Sequence, residues 1–303
     1  MALYLRERGE DTFAELKRRG SPIGFLGAPL DETSSYRGGS RWGPEAVRRA
    51  SRSLELCTER GSCRVEDAGV DDLGDVVTAP GNIEESLERI AHAVTYAFRE
   101  LGKKFLVIVG GEHTITLGAL KGVDRAFGPP CLLVFDAHLD LRSEYLGSAI
   151  NHATVMRRAI ERGLVERIAW VGIRAFSREE LEELRRLEAL GSGLAVSCLE
   201  CLEHSPRFVA SRIASFFREC QCVYVSLDMD SVDPAYAPGV QTPEPMGLSP
   251  RWLAALLRII AESSRTVCLD VVELSPPNDP GEQTSFLAAR LILETIEGVL
   301  RRI

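Results

Sequence analysis

The sequence alternates between short apolar runs and longer amphipathic segments along most of its length, and this alternation limits the folds it can adopt. A short apolar run without polar alternation is typical of a strand that is buried on both faces. An amphipathic segment between two such runs predicts a helix that crosses over the sheet. The sequence therefore predicts a three-layer α/β/α fold around a mainly parallel sheet.

Six apolar runs predict the strands of this sheet. They span Pro22–Leu26, Phe105–Val109, Cys131–Phe135, Ile168–Ile173, Cys222–Leu227 and Thr266–Val272. Segments with helical periodicity or helix-start signals predict the helices between them. These span Glu10–Arg19, Asn82–Leu101, Thr116–Phe127, Thr154–Arg162, Arg178–Leu190, Pro250–Ala261 and Ser285–Leu300. No linker-like change in composition interrupts the alternation, so we expect residues 1–303 to form a single α/β domain.

The composition argues against several classes of function. The chain has 303 residues, a net charge of -8 and an isoelectric point of about 5.4, which disfavours a nucleic-acid-binding surface. No apolar run approaches the roughly 20 residues that span a bilayer. The N-terminal segment is charged almost at once and lacks the apolar core of a signal peptide. We therefore expect a cytoplasmic protein with neither a nucleic acid nor a membrane as its partner.

Eight cysteines are more than packing requires. Cys131, Cys222 and Cys268 lie in apolar runs and are predicted to be small core residues. Cys198 and Cys201, with Cys220 and Cys222, could form a zinc site, but the C-x-C half has poor spacing for one. The chain has 32 Arg, 4 Lys and few amide side chains. The scarcity of amides fits a thermophile, whose intracellular proteins can contain disulfides, although a GC-rich genome would give the same excess of Arg. The redox state of the cysteines stays open.

Three side chains suited to metal binding follow the run Cys131–Phe135 at alternate positions: Asp136, His138 and Asp140. In an extended chain this spacing points all three to one side. Carboxylates at the end of a buried strand are costly unless a positive charge compensates them. The segment therefore favours a divalent cation, and the alternative is a solvated junction between strand and loop.

The same kind of residue follows three other predicted strands. His113 follows Phe105–Val109, Asp228 and Asp230 follow Cys222–Leu227, and Glu273 follows Thr266–Val272. Open α/β sheets place their sites at these carboxyl ends. Six side chains are too many for one catalytic zinc, whereas two cations with bridging carboxylates would use them all. The six predicted ligands are His113, Asp136, His138, Asp140, Asp228 and Asp230.

The predicted ligand set is rich in carboxylates and contains no thiolate, which favours Mn²⁺, with two ions per subunit. Water between two such ions would lose a proton near neutral pH and supply a hydroxide for hydrolysis. His152 lies beyond the loop after Asp140 and could exchange protons with a leaving group, although packing is an equally good reading of a lone histidine. Glu273 is not needed as a ligand, and its charge would favour a cationic substrate.

Four segments resemble those of the ureohydrolase family, which contains arginases, agmatinases and formiminoglutamases. The segments are GGEHT (110–114), DAHLD (136–140), SLDMDSVDPAYAPG (226–239) and DVVELSPPND (270–279), and the resemblance runs from about Phe25 to the C-terminus. It implies an α/β fold and a binuclear Mn²⁺ centre whose hydroxide attacks a guanidinium or formimino carbon. It also implies a homo-oligomer, commonly a trimer or hexamer.

The resemblance implies a role for each matching residue. Asp136 and Asp228 would bridge the metals, while His113 with Asp140 and His138 with Asp230 would complete one ion each. Glu273 would hold the guanidinium with the support of Thr242, and His152 would shuttle protons. Asp140, His152 and Glu273 are the residues expected to serve catalysis.

One departure from the family pattern concerns the substrate. Arginase-like members have an Asn two positions after the last Asp of DAHxD, where it serves the substrate carboxylate, and this chain has Arg142 there. With NHATVMRRA (151–159) and VVELSPPND (271–279), this looks most like the agmatinase branch, since agmatine has no carboxylate. Arg142 could instead bind a carboxylate-bearing substrate such as formiminoglutamate, or be a surface arginine paired with Glu144.

Several alternatives therefore stay open beside an agmatinase that forms urea and putrescine. Formiminoglutamase, guanidinobutyrase and arginase activities would use the same centre. A metal-stabilised binding protein without turnover could lose His152 and Glu273 without harm, so their presence disfavours that class. A binuclear metallophosphatase would need Arg or Lys near the metals, and the motif segments offer only Arg142.

Overall fold

The computed structural model describes residues 4–9 and 11–303. Its strands are β1 (Leu5–Arg6), β2 (Ile23–Ala28), β3 (Asp71–Val76), β4 (Phe105–Gly110), β5 (Cys131–Phe135), β6 (Ile168–Ile173), β7 (Gly193–Ser197), β8 (Val223–Asp228) and β9 (Thr266–Val272). Its α-helices are α1 (Gly43–Ser51), α2 (Arg64–Ala68), α3 (Ile83–Arg99), α4 (Ile115–Phe127), α5 (Val155–Glu161), α6 (Arg178–Ala189), α7 (Cys198–Glu203), α8 (Pro206–Phe216), α9 (Pro250–Ser263) and α10 (Gln283–Arg302).

Within the described residues, the nine strands form one sheet in the order β1-β3-β2-β4-β9-β8-β5-β6-β7. Neighbouring strands are parallel throughout, except that β1 runs antiparallel to β3 at one edge. The predicted mainly parallel sheet is confirmed, and all six predicted strands lie in it.

Helices cover both faces of the sheet, as alternate residues of β5 show. Leu133 and Phe135 pack in a core with residues of α8, α9 and α10. Leu132 and Val134 pack in a second core with residues of α3, α4 and α5. All five residues of β5 are fully buried, which is why this strand has no polar alternation in its sequence. The described residues include no helix that is both long and apolar enough to cross a membrane.

The predicted helix Glu10–Arg19 is wrong. Glu10 lies outside the described residues, and the rest of the segment contains only a 3₁₀ turn, Phe13–Glu15. Contacts with the rest of the fold replace the helical hydrogen bonds here. The backbone N–H of Phe13 donates to Asp72 (3.0 Å) and that of Ala14 to Ser51 (2.8 Å). Tertiary structure therefore overrides the local helical pattern.

Two disulfides join Cys57 to Cys63 and Cys131 to Cys220. The prediction that Cys131, Cys222 and Cys268 lie in the core is confirmed, since all three are buried. Cys222 and Cys268 are free thiols, whereas the disulfide of Cys131 was not predicted. Because Cys220 is bonded to Cys131, it is not available for the zinc site considered with Cys198 and Cys201. Among the residues that the structure describes, the groupings suited to a metal include neither Cys198 nor Cys201.

Candidate metal centre

Four strands that lie side by side in the sheet, β4, β9, β8 and β5, end at the same edge. Their carboxyl ends carry the predicted site residues: His113 after β4, Asp136, His138 and Asp140 after β5, Asp228 and Asp230 at the end of β8, and Glu273 after β9. Parallel pairing aligns these ends because every strand of the group runs in the same direction. The structure thus brings together seven residues from four separate stretches of the chain.

The six predicted ligands form two overlapping groups. His113 Nδ1 lies 3.2 Å from Asp136 Oδ2, 3.1 Å from Asp140 Oδ2 and 3.3 Å from Asp228 Oδ2. His138 Nδ1 lies 3.0 Å from Asp230 Oδ2 and 3.4 Å from Asp136 Oδ1. Asp136 faces both groups, one oxygen to each. This is the arrangement expected of a carboxylate that bridges two cations.

A hydrogen-bonded chain behind His113 determines which of its ring nitrogens is free. The Ser226 hydroxyl donates to Asp270 Oδ1 (2.6 Å), so its oxygen is left to accept from His113 Nε2 at 2.9 Å. With the proton on Nε2, the lone pair of Nδ1 points toward the carboxylates. Histidines that bind metals are commonly oriented by such a partner on their other nitrogen.

The donor set therefore fits divalent cations on grounds of its own. His113 Nδ1 and Asp136 Oδ2 are buried and have no hydrogen-bond partner in the part of the chain that the structure describes. Buried polar atoms are normally paired, and the carboxylates of Asp140 and Asp228 crowd the same space. Cations between these atoms would satisfy the unpaired groups and neutralise the acids.

The pKa shifts reflect the same crowding. Burial and the nearby charge of Asp136 raise the pKa of Asp140 to about 7. Burial and the charges of Asp230 and Asp136 raise the pKa of Asp228 well above its usual value. Burial also opposes ionisation of Asp136, yet the neighbouring imidazoles of His113 and His138 lower its pKa below the usual range. Without added positive charge, the acids cannot all be ionised at neutral pH.

Two residues of the centre have left-handed backbone conformations that are rare for side chains other than glycine. Asp140 has φ +51° and Glu273 has φ +64°. The Glu273 N–H donates to the Gly111 carbonyl (2.9 Å), and its carboxylate Oε1 accepts from the His113 N–H (2.6 Å). Backbone strain of this kind is typical of functional sites. In this conformation the Glu273 carboxylate contacts the backbone of His113, one of the predicted ligands.

His152 begins a short 3₁₀ helix, His152–Thr154, and contacts the loop between β2 and α1. Its N–H donates to Thr33 Oγ1 (3.1 Å), and its Nε2 lies 3.3 Å from Ser35 Oγ. Thr33 in turn donates its N–H and hydroxyl to the buried carboxylate of Glu112, both at 2.8 Å. Burial lowers the pKa of His152 to about 4. The imidazole is therefore neutral at physiological pH.

Sequence reasoning missed four residues of the site: Thr33, Ser35, Ser226 and Asp270. Asp270 had a signal, because a carboxylate inside the apolar run Thr266–Val272 is costly without partners. Its oxygens accept from Ser226, Tyr224 and Thr116. Thr33 and Ser35 lie in a loop rich in Gly and Ser, and no local pattern indicates where that loop packs.

A cavity of about 290 Å³, here called the rim cavity, opens beside the centre. Its lining includes Asp140, His138, His152, Thr242, Arg142, Tyr145, Phe176, Glu180 and Glu244. Arg142 Nε lies 3.7 Å from Glu180 Oε2, and its guanidinium lies 5.2 Å from the centroid of the Tyr145 ring. The alternative pairing of Arg142 with Glu144 is therefore wrong. Glu244 Oε1 lies 3.8 Å from His138 Nε2, and no Lys or Arg forms an ion pair with its carboxylate among the described residues. The Arg174 guanidinium donates to the backbone carbonyl of Glu244 (2.7 Å).

The fold and this carboxylate–imidazole cluster define an α/β protein with a site suited to a pair of divalent cations. Residues 21–297 match the sequence model of the arginase family, and the chain belongs to that family. It is therefore a hydrolase that acts on guanidino or amidino substrates, in a family whose members depend on a binuclear metal centre, usually manganese.

Individual relatives differ in the substrate that their names give. The chain is 34% identical to an agmatinase of Bacillus subtilis over 91% of both chains. It is 33% identical to a guanidinobutyrase of Pseudomonas aeruginosa, over 92% of this chain and 87% of that one. The crystal structure of the agmatine ureohydrolase of Thermoplasma volcanium has a TM-score of 0.81 at 34% identity, covering 93% of this chain and 91% of that one.

Proposed function

We propose that the protein is a binuclear manganese amidinohydrolase that converts agmatine and water into putrescine and urea. The observation that carries the choice of substrate is the charge around the rim cavity. The guanidinium in its lining, that of Arg142, is paired with Glu180, whereas within residues 4–9 and 11–303 the Glu244 carboxylate forms an ion pair with no Lys or Arg and lies only near the His138 imidazole. Agmatine has a cation at each end, and a free carboxylate would bind the end that is not cleaved. A guanidino acid would bring a second negative charge to the same place.

The six predicted ligands would hold the metals, with Asp136 and Asp228 shared between them. Two divalent cations there would acidify water and supply a hydroxide nucleophile near neutral pH. Glu273 would pair with the guanidinium, and Thr242 would support it from the wall of the rim cavity. His152, neutral and held by Thr33 and Ser35, would accept a proton and return it to the leaving amine nitrogen.

The experiment is a panel of four substrates with the manganese-loaded protein: agmatine, 4-guanidinobutyrate, arginine and formiminoglutamate. Urea is measured for the first three and formamide for the last. We expect agmatine to have the highest kcat/KM. Urea from arginine or 4-guanidinobutyrate with little from agmatine would contradict the choice of substrate, and activity on none would contradict the proposal.

A variant pair tests the role of Glu244. Glu244→Gln should raise KM for agmatine by about tenfold, since a charge-assisted hydrogen bond to the distal ammonium is lost. The same variant should not raise KM for 4-guanidinobutyrate, which lacks that ammonium. Glu182→Gln makes the same charge change on an exposed part of α6 and should leave both substrates unaffected. An equal effect of the two variants would assign the result to net charge alone.

The second candidate is an enzyme for a carboxylate-bearing substrate, such as a guanidino acid or formiminoglutamate. The observation in its favour is Arg142 itself, which lines the rim cavity with 38% of its side chain exposed. In that case Arg142→Gln should raise KM for the carboxylate-bearing substrate by about tenfold or more. With agmatine the same change should have little effect. A cytoplasmic location and a homo-oligomeric state, as trimer or hexamer, stay predictions.

A further inference from the structure

A second cavity, here called the basic cavity, lies away from the metal centre and shares no lining residue with the rim cavity. Its volume is about 690 Å³. It lies between α9, α10 and residues 57–60, which follow α1. Four arginines and two glutamates supply its charge: Arg60, Arg251, Arg258, Arg290, Glu59 and Glu294. Nothing in the proposed hydrolysis uses it.

Two of the four arginines have no acidic partner. Arg251 pairs with Glu59 and Arg258 with Glu294, both at 3.1 Å. Arg60 has no ion pair within residues 4–9 and 11–303. Arg290 has none there either, and its Nη2 donates to the Glu55 carbonyl (2.8 Å). The cavity therefore carries two uncompensated positive charges on a chain whose net charge is -8.

The loop that carries Thr58 and Arg60 is held in shape without a ligand. A disulfide joins Cys57 to Cys63. Inside it, the Thr58 N–H donates to the Ser62 carbonyl and the Gly61 N–H donates to the Thr58 carbonyl, both at 2.9 Å. A wall that is ordered before binding avoids the entropic cost of ordering it on binding.

We propose that the basic cavity binds a small molecule with a doubly charged oxyanion group, such as a phosphate or a pair of carboxylates. Arg60 and Arg290 would neutralise its charge and donate to its oxygens. Arginine suits such groups because its planar fork can donate two hydrogen bonds at once. This site is independent of the choice between agmatine and other substrates.

The test is isothermal titration calorimetry of the manganese-loaded protein with inorganic phosphate and, separately, with succinate. We expect one of these anions to bind at one site per chain. The double variant Arg60→Gln/Arg290→Gln should weaken that binding by at least about tenfold. Arg185→Gln, on an exposed part of α6, is the matched control and should leave the affinity unchanged.

Hydrolytic activity separates this site from the metal centre. The double variant and Arg185→Gln should both keep the turnover of the unmodified protein, which also shows that they fold. Phosphate binding that survives unchanged in the double variant would assign the anion to another part of the molecule and overturn the proposal. Absence of binding by both phosphate and succinate would overturn it as well.

Discussion

The rim cavity and the basic cavity have opposite electrostatic character on the same chain. The rim cavity is lined by Asp140, Glu180 and Glu244 against a single arginine. The basic cavity has four arginines against two glutamates. The side chains of the first come mainly from strand ends and the segments that follow them, and those of the second from two helices and a disulfide-closed loop. Two surfaces of one fold can thus attract ligands of opposite charge.

The residues of the metal centre and the arginines of the basic cavity also differ in how firmly the fold holds them. Asp136, Asp228 and His113 are buried, and the parallel register of their strands sets where they lie. The arginines of the basic cavity reach it from helix surfaces through long side chains. We therefore expect substitutions in the metal centre to lower turnover by large factors. Substitutions in the basic cavity should lower ligand affinity by smaller ones.

The largest expected effect is that of Asp228→Asn, which removes one shared charge from the metal centre. Manganese affinity and turnover should both fall by more than the roughly hundredfold that losing a supporting hydrogen bond can cost a metal site. Bound manganese after dialysis and urea release are the measurements. Asp124→Asn on α4 is the matched control. Two tightly bound metals and full turnover in Asp228→Asn would contradict the ligand assignment.

A smaller loss is expected for His152→Asn, because this change removes a proton carrier without touching a predicted ligand. Turnover should fall by about 100-fold or more while the bound manganese is unchanged. Turnover and metal content measured on the same sample separate the two roles. An undiminished rate would show that His152 only packs against Thr33 and Ser35.

The pH dependence of stability tests the burial of the same residue. The pKa of His152 is about 4 in the folded chain, below the usual value of 6.5, so the folded state binds fewer protons than the unfolded state between these pH values. The free energy of unfolding therefore decreases as the pH falls, and the part due to His152 is roughly 2 kcal/mol between about pH 8 and about pH 5. Urea denaturation across this range should show a smaller decrease in the free energy of unfolding for His152→Asn than for the unmodified protein. Parallel curves for the two proteins would contradict the shifted pKa.

The smallest effect in the metal centre is expected for Ser226→Ala, which removes the hydrogen-bond acceptor of His113 Nε2. Manganese affinity should fall by about tenfold, since the ring loses the group that orients it. Competition with a chelator measures this, with Ser211→Ala on α8 as the control. If the affinity does not change, the chain Asp270–Ser226–His113 does not orient the ring.

The ends of the strands were predictable because a buried parallel strand leaves a clear pattern. In CLLVFDAHLD (131–140), the change from apolar to alternating polar residues marks the point where the strand reaches the edge of the sheet. The register of the sheet then brings such ends together, so separate motifs could be combined before any contact was known.

Other parts were not predictable from local pattern. β3 (Asp71–Val76) contains three aspartates in six residues and does not resemble a buried strand. Arg48 of α1 compensates it, with Nε 2.8 Å from Asp72 Oδ2 and Nη1 2.7 Å from Asp75 Oδ1. The contacts of Thr33 with Glu112 and His152, and the whole basic cavity, depend in the same way on pairings between distant segments.

The most direct test of the central claim is the number of manganese ions that the purified chain binds. Calorimetric titration of the metal-free protein should show two ions per chain in the unmodified protein. A variant without His138, such as His138→Asn, should lose one of them. One ion per chain in the unmodified protein, or two undiminished in that variant, would contradict a centre built from these six side chains.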